Sequence, residues 1–167
     1  MNAERLAEFY EILAYHCLKG EDWQRAYRYN REAGLKSLSH SGYEEAQRYF
    51  EDALTAIRNL PREKTMIEQD IDLRFSMRSV LLPLGRNEEW IEWINGAELL
   101  AQEIQDDTRL AQVLYYRASI HWIKKEPLKG LEMAQKALTL SEKTGHFSCQ
   151  VATLQYLGII PGITGPR

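Results

Sequence analysis

The chain has 167 residues, of which 44% are hydrophobic and 27% are charged, so it has enough apolar material for a core and too much for a disordered tail. Its formal net charge of −3 at pH 7 gives no overall cationic field, and binding to a phosphate backbone would need a local basic patch. We therefore expect one folded unit for which nucleic acid is a poor partner.

Targeting segments and reactive cysteines are not expected. The start, MNAERLAEFYEIL, carries charges at once and does not form the apolar run of a secretory signal. No stretch approaches the ~18 to 20 consecutive apolar residues that span a bilayer. Cys17 and Cys149 are far apart and lie in apolar helical patterns, which is typical of buried thiols in a reducing compartment. These features predict a cytoplasmic protein without membrane contacts.

Glycine, proline and acidic turn residues divide the chain into segments that each have the length and pattern of a helix. Helices are predicted at 3–18, 22–39, 42–59, 63–83, 86–105, 107–124, 127–144 and 147–159. Pro83 removes a backbone donor, so the fourth helix should end near Leu82, whereas Pro127 suits the first turn of its helix. No run alternates with period two, so the predicted fold class is all-α.

Small residues and turns recur at intervals of about 40 to 44 residues. The small residues are Ala53, Ala97 and Ala137. The equivalent positions on the preceding helix of each pair are Gly34, Arg78, Ala118 and Gly158. The turns between the helices are at Ser41, Gly85 and Lys125. A single helix pair cannot bury its apolar faces alone, so this period predicts helix pairs that stack on their neighbours.

Residues 41–54, SGYEEAQRYFEDAL, contain a turn, an aromatic residue, a small residue, a second aromatic residue and an Ala-Leu pair, and residues 20–26, GEDWQRA, look like another such turn and helix start. The first segment resembles the second half of a tetratricopeptide repeat (TPR). The period exceeds the ~34 residues of the standard repeat, which predicts longer helices. Trp90 and Gly130 stand where Ala46 does, and the large Trp90 is expected to splay its helix pair.

Residues 113–118, VLYYRA, and residues 81–85, LLPLG, carry a second resemblance. Over nearly the whole chain the arrangement resembles the helical repeats that follow the ATPase module in bacterial multidomain cyclase and ATPase regulators. The sequence has no G-x-x-x-x-G-K-[ST] loop, so the resemblance implies a fragment or a relative without the nucleotide-binding and cyclase domains. It implies a TPR-like α-α superhelix, a solenoid of about four antiparallel helix pairs, in a single domain at 1–160 with a disordered tail at 161–167.

The TPR resemblance also implies a binding surface. In TPR proteins the first helix of each pair lines a concave groove, and outward positions on those helices contact the ligand. By register, these positions are Arg28, Arg31, Asp72, Phe75, Ser79, Gln112, Tyr115, Ser119 and Trp122. The alternative, that several of them are packed or solvated, stays open. The Lys and Asn pattern that holds a terminal carboxylate in chaperone-tail clamps is absent, so that ligand is not expected.

Two groups of side chains have both a structural and a functional interpretation. Arg25, Arg28 and Arg31 share one helix face, which is either solvated and paired with acids such as Glu32 or an anchor for an acidic peptide. The aromatic group is Trp90, Trp93, Tyr115, Tyr116 and Trp122. Most of it is expected in the core, but an exposed Trp93 or Trp122 would mark a binding hot spot or a self-association surface.

No set of residues predicts catalysis. The histidines are isolated from second ligands at metal-binding spacing, so we expect neither a metal nor a cofactor. Ser37, Ser39 and Ser41 lie close to His40 in the sequence. They are interpreted as the polar end of one helix and the cap of the next, and not as a catalytic nucleophile with its base. Asp106 and Asp107 lie in a turn, where they favour the start of the next helix rather than acid catalysis.

The sequence therefore predicts a non-catalytic protein-interaction scaffold that binds a peptide or protein partner through a concave face. The alternative is a regulatory sensor that binds a small ligand or nucleic acid, or a fragment of a larger signalling ATPase or cyclase. An uncapped last repeat would leave Val151, Leu154, Leu157 and Ile159 exposed, which predicts a homodimer through the C-terminal helical end.

Overall fold

The structure, a computed structural model, describes the backbone of residues 3–159 and the side chains of residues 9–158. Across this part of the chain every regular element is a helix and no strand occurs, which confirms the predicted all-α class. The helices are α1 (Ala3–Lys19), α2 (Trp23–Ser39), α3 (Tyr43–Arg58), α4 (Lys64–Ser76), α5 (Arg78–Leu81), α6 (Asn87–Glu103), α7 (Asp107–Ile123), α8 (Pro127–Thr144) and α9 (Phe147–Ile159). The tail predicted at 161–167 lies outside the described residues.

The helix predicted at 63–83 is divided into α4 and α5. At Met77 the backbone N–H bonds the carbonyl of Arg74, three residues back, so the helix tightens locally before it resumes. The expected end near Leu82 is confirmed, because α5 ends at Leu81 and Pro83 follows in the turn. Pro127 is the first residue of α8, as predicted.

Six turns between helices share one backbone conformation. In each, one residue has a φ between 53° and 70°, and the next residue donates its N–H to the carbonyl five residues back at 2.8–3.0 Å. This hydrogen bond closes the end of a helix in the Schellman motif. The positive-φ residues are Glu21, Ser41, Gly85, Gln105, Lys125 and Gly145. They lie 20 residues apart, except across the longer connection between α3 and α4, and they include all three turns predicted from the repeat.

Four of these six residues are not glycine, although a Cβ disfavours the left-handed region by roughly 1–2 kcal/mol. We expect Gln105→Gly to raise the free energy of unfolding by about 0.5–1 kcal/mol, because it removes that strain. Gly145→Ala should lower it by about 1 kcal/mol. Urea denaturation followed by circular dichroism measures both changes. Gly158→Ala is the control, since its added Cβ meets no atom within 4 Å and no loss is expected. A loss of stability in Gln105→Gly would contradict the argument.

The start of α7 confirms the role predicted for its aspartates. The carboxylate of Asp106 accepts the backbone N–H of Arg109 at 3.0 Å and its guanidinium at 2.6 Å, which caps the helix. Burial alone would raise the pKa of Asp106, but these hydrogen bonds outweigh burial and the pKa lies below its ordinary value. This carboxylate therefore has a structural role.

The chain divides into two compact units, residues 1–93 and 94–167. In the first unit, α1 packs on α2, α2 on α3, and α3 on α4 and α5. Its largest fully buried side chains are Phe50, Ile71, Met77, Val80, Leu81 and Trp90. Gly34 allows α2 and α3 to approach closely, because a Cβ there would lie 2.5 Å from the buried ring of Phe50.

In the second unit, α7 packs on α8, and α9 packs on both. Here small residues let the helices approach each other. The positions Ala111, Ala118, Ala134 and Ala137 are fully buried. A Cβ at Gly130 would lie 3.2 Å from the carbonyl oxygen of Ala118 and 2.7 Å from the hydroxyl of Tyr156. Ala53 and Ala97, the other small residues of the predicted repeat, are also fully buried.

Candidate binding sites

The residues predicted to line a groove differ in exposure. Arg28 and Arg31 on α2, together with Asp72 and Ser79, are exposed. Phe75, in contrast, is only 8% exposed. It follows the fully buried Ile71 by four positions, so both side chains lie on the face of α4 that packs into the core. Phe75 therefore contributes to packing and not to an accessible surface.

A depression of about 440 Å³ lies between α1 and α2 in the first unit. Its lining residues are Tyr10, Leu13, Arg28, Tyr29 and Glu32. The ring centroids of Tyr10 and Tyr29 are 6.2 Å apart. The guanidinium carbon of Arg28 lies 4.8 Å from the Tyr29 centroid, and the same group donates a hydrogen bond of 2.9 Å to the Tyr29 hydroxyl. The site thus combines aromatic walls with a cation.

The three arginines of α2 do not share one role. Arg25 pairs with Asp22 at 3.4 Å and Arg31 pairs with Glu32 at 2.8 Å, as expected for a solvated face. Among the described contacts, the hydrogen-bond partner of Arg28 is a neutral phenol. No acid among the described side chains pairs with Arg28, so it is the arginine for which the anchor interpretation is retained.

The two cysteines are free, and only one of them is buried as predicted. Cys149 lies in the core of the second unit, whereas Cys17, near the end of α1, is partly exposed. Burial raises the pKa of both thiols above the ordinary value. Both are therefore protonated at neutral pH, and neither has the lowered pKa of an activated nucleophile.

In the second unit, the predicted residues Gln112, Tyr115, Ser119 and Trp122 lie on one face of α7 and are at least partly exposed. Gln112 donates a hydrogen bond of 3.0 Å to the Tyr116 hydroxyl, and Ser119 donates one of 3.3 Å to the Tyr115 carbonyl. Both polar side chains are thus satisfied within α7, which leaves the aromatic residues to define this face.

Tyr156 of α9, which is not among the residues predicted from the sequence, organises these aromatic residues. Its hydroxyl donates a hydrogen bond of 2.7 Å to the carbonyl of Ala118. Its ring meets Tyr115 and Trp122 edge to face, with centroids 6.5 Å and 6.4 Å apart. Burial, and to a lesser extent Tyr115, raises the pKa of Tyr156, so the phenol stays protonated and keeps donating. Its place in α9 was visible in the sequence, but its contacts with α7 were not.

Trp122 borders a second depression, of about 590 Å³, at the turn between α7 and α8. The depression is lined by Trp122, Ile123, Lys125 and Pro127. Trp122 is 44% exposed, and Leu128 nearby in the chain is 81% exposed. Trp93, in contrast, is partly covered by the guanidinium of Arg74, whose carbon lies 5.5 Å from the ring centroid. Of these two tryptophans, Trp122 is thus the one with the exposure expected of a hot spot.

The charge around this depression is cationic. Glu126, the acid of the turn, lies 2.8 Å from the ammonium of Lys129 and 2.7 Å from Nδ1 of His121. Hydrogen bonds to Lys129 and then to His121 hold the pKa of Glu126 below its ordinary value. Its negative charge is therefore already paired, whereas Lys125 has no ion pair among the described residues. The depression offers an apolar wall beside an available ammonium group.

A scan against protein-family models and a search of curated protein sequences give no match to this chain. Within residues 3–159, no helix is both long enough and apolar enough to cross a membrane. Among the described side chains, no three of His, Cys, Asp and Glu are placed to share a metal ion. Each of the two depressions thus places apolar or aromatic side chains beside a cation, Arg28 in the first unit and Lys125 in the second.

Proposed function

We propose that this chain is a non-catalytic, cytoplasmic protein-interaction module of TPR-like helix pairs, and that it binds an acidic segment of a partner protein. The observation that carries the proposal is the exposure of Trp122. Its ring meets the ring of Tyr156 edge to face, and it lines the same depression as Lys125. A tryptophan that is already ordered loses little conformational freedom on binding, which is the property of an interface hot spot.

The TPR-like part of the proposal is supported by the turns. One turn conformation recurs every 20 residues, except across the α3–α4 connection, and it joins neighbouring helices as tight hairpins such as α2–α3 and α7–α8. The unit of about 20 residues is longer than half of the ~34-residue standard repeat. The longer helices present additional surface positions for a partner.

The charges beside the two depressions support an acidic partner. Although the chain has a net charge of −3, each depression is bordered by a cation with no described acidic partner, Arg28 in the first unit and Lys125 in the second. A carboxylate from the partner would form an ion pair with either cation. An apolar side chain next to it would pack against the neighbouring aromatic residues. Alternating acidic and apolar residues in an extended or helical segment fit this requirement.

Selection of binders from a random peptide library tests the proposal. Peptides that bind the wild-type chain should be enriched in Asp and Glu together with an aromatic or long aliphatic residue. Their affinity should fall as the salt concentration rises, because added ions screen the charge pairs. Selection of basic or charge-free peptides would contradict the proposal, as would a failure to select any peptide.

Trp122→Ala is expected to weaken binding of a selected peptide by about 30-fold, which corresponds to a loss of about 2 kcal/mol. Fluorescence polarisation of the labelled peptide measures the dissociation constant. The matched control is Leu99→Ala, a truncation of a side chain that is 68% exposed elsewhere in the second unit, and this variant should bind like the wild type. Equal dissociation constants for Trp122→Ala and the wild type would remove Trp122 from the site.

A further inference from the structure

His121 lies in the last turn of α7 and faces the start of α8. Its Cβ is 3.5 Å from the point that a Cβ at Gly130 would occupy, so the two helices approach closely there. Its Nδ1 lies 2.7 Å from Oε2 of Glu126, the N-cap residue of α8. Oε1 of the same carboxylate lies 2.8 Å from Nζ of Lys129. We call His121, Glu126 and Lys129 the charge trio, and it adjoins the turn that borders the second depression.

The contact with Glu126 fixes which ring nitrogen of His121 gains and loses a proton. Hydrogen bonds to Lys129 and then to His121 hold the pKa of Glu126 below its ordinary value, so this carboxylate stays ionised in neutral and mildly acidic solution. An ionised carboxylate only accepts hydrogen bonds, so Nδ1 donates in both charge states of the ring. The proton that titrates is therefore the one on Nε2. A change of pH thus alters the charge of His121 without breaking its contact with Glu126.

Other charged and titratable groups near His121 come from the helices packed on α7, from α7 itself and from the turn after it. The phenol of Tyr156 on α9 stays protonated, because burial raises its pKa. The other groups include ion pairs whose charges cancel. They are Glu126 with Lys129 and Glu132 with Lys136 on α8, Arg117 on α7 with Glu98 on α6, and Lys124 and Lys125 in the turn. Because Glu126 and Lys129 have opposite charges, protonation of His121 gives the charge trio a net positive charge.

We propose that protonation of His121 tightens the binding of an acidic partner at the second depression, so that this site is pH-sensitive. The inference rests on the proposed function, because it concerns the affinity of that site for its acidic partner. Histidine is the side chain whose charge ordinarily changes between about pH 5 and about pH 8. The carboxylates of the partner, with an ordinary pKa of about 4, stay ionised across this range.

The direction of the effect follows from the sign of the charges. The negative charge of the partner favours the protonated ring over the neutral ring, so binding takes up a proton. Affinity therefore rises as the pH falls. The protonated ring adds its charge within one helical turn of Lys125, and both cations attract the same carboxylates.

Fluorescence polarisation at about pH 8 and about pH 5.5, at constant ionic strength, tests the inference. The probe is a labelled library-selected peptide that contains no histidine and whose binding is weakened by Trp122→Ala. For the wild type the dissociation constant should be ~5-fold lower at the acidic pH, at the lower end of couplings between sites. In His121→Gln the ratio of the two constants should fall to about 1, because the amide donates to Glu126 but does not titrate.

Two further variants separate the charge of His121 from a structural effect. His121→Lys keeps a positive charge at both pH values, so its ratio should also be about 1, but it should bind more tightly than the wild type at about pH 8. The matched control is His40→Gln, a change at an exposed histidine of the first unit that should keep the wild-type ratio. Circular dichroism at both pH values verifies that each variant keeps its helix content.

The outcomes distinguish this inference from the proposed function. Equal dissociation constants of the wild type at the two pH values would overturn the pH inference and leave the acidic-partner site in place. A pH dependence that persists in His121→Gln would also overturn it, because another group would then be responsible. If no acidic peptide binds at either pH, both the proposed function and this inference are overturned.

Discussion

Trp90→Ala is expected to lower the free energy of unfolding by about 3–5 kcal/mol, as is usual when a large core side chain is removed. Trp90 is the largest of the fully buried side chains, and it lies in the first turn of α6. The guanidinium carbon of Arg78 lies 6.0 Å from its ring centroid. Loss of the ring would remove apolar burial and leave a cavity that the packed helices of the first unit cannot fully close.

Urea denaturation, followed by far-UV circular dichroism, measures this loss. Trp122→Ala is the matched control, because it removes the same side chain from a position that is 44% exposed. The control should lose about 1 kcal/mol or less, mainly the edge-to-face contact with Tyr156. Similar losses for the two variants would show that burial of Trp90 does not hold the first unit together.

Asp70→Ala should destabilise the first unit by about 3–5 kcal/mol, because it leaves a largely buried cation without its partner. The carboxylate of Asp70 accepts a hydrogen bond of 2.5 Å from Nε of Arg74, and the two side chains are 12% and 14% exposed. Arg74 in turn covers the ring of Trp93 at 5.5 Å. The single substitution therefore affects the ion pair and the stacking contact together.

Two further variants separate the loss of the ion pair from a general effect of alanine. The double variant Asp70→Ala with Arg74→Met should recover most of the stability, since no buried charge then remains. Glu132→Ala breaks the exposed pair with Lys136 and should leave the urea midpoint unchanged. A double variant as unstable as Asp70→Ala alone would show that the buried charge is not the cause.

The turns show how much of the fold local sequence features predict. Gly85 and Gly145 are visible as turn residues because glycine tolerates a positive φ. Lys125 adopts the same conformation without being glycine, and its spacing in the repeat predicted a turn. Gln105 also adopts it, although the sequence placed Gln105 at the end of the helix predicted at 86–105. The break at Met77 was not predicted, because it depends on a local tightening of the helix and not on a proline or glycine.

The candidate sites were predicted only in part. Arg28 and Trp122, which the TPR resemblance placed at outward positions, are exposed and border the two depressions. Phe75 was misplaced, because α4 turns that position toward the core. Tyr10 and Tyr156 were not selected, because their roles come from contacts with a neighbouring helix, through Tyr29 and through Trp122 respectively.

The sequence by itself determined that the chain is helical and where most of its helices begin and end, because periodicity, turn residues and capping aspartates act within a few positions along the chain. Only the tertiary structure decided which aromatic side chains are accessible. Trp93 is partly covered by Arg74, Trp90 is fully buried, and Trp122 stays exposed beside Tyr156. The physical reason is that exposure depends on the side chains that other helices bring alongside, and helix periodicity does not specify those neighbours.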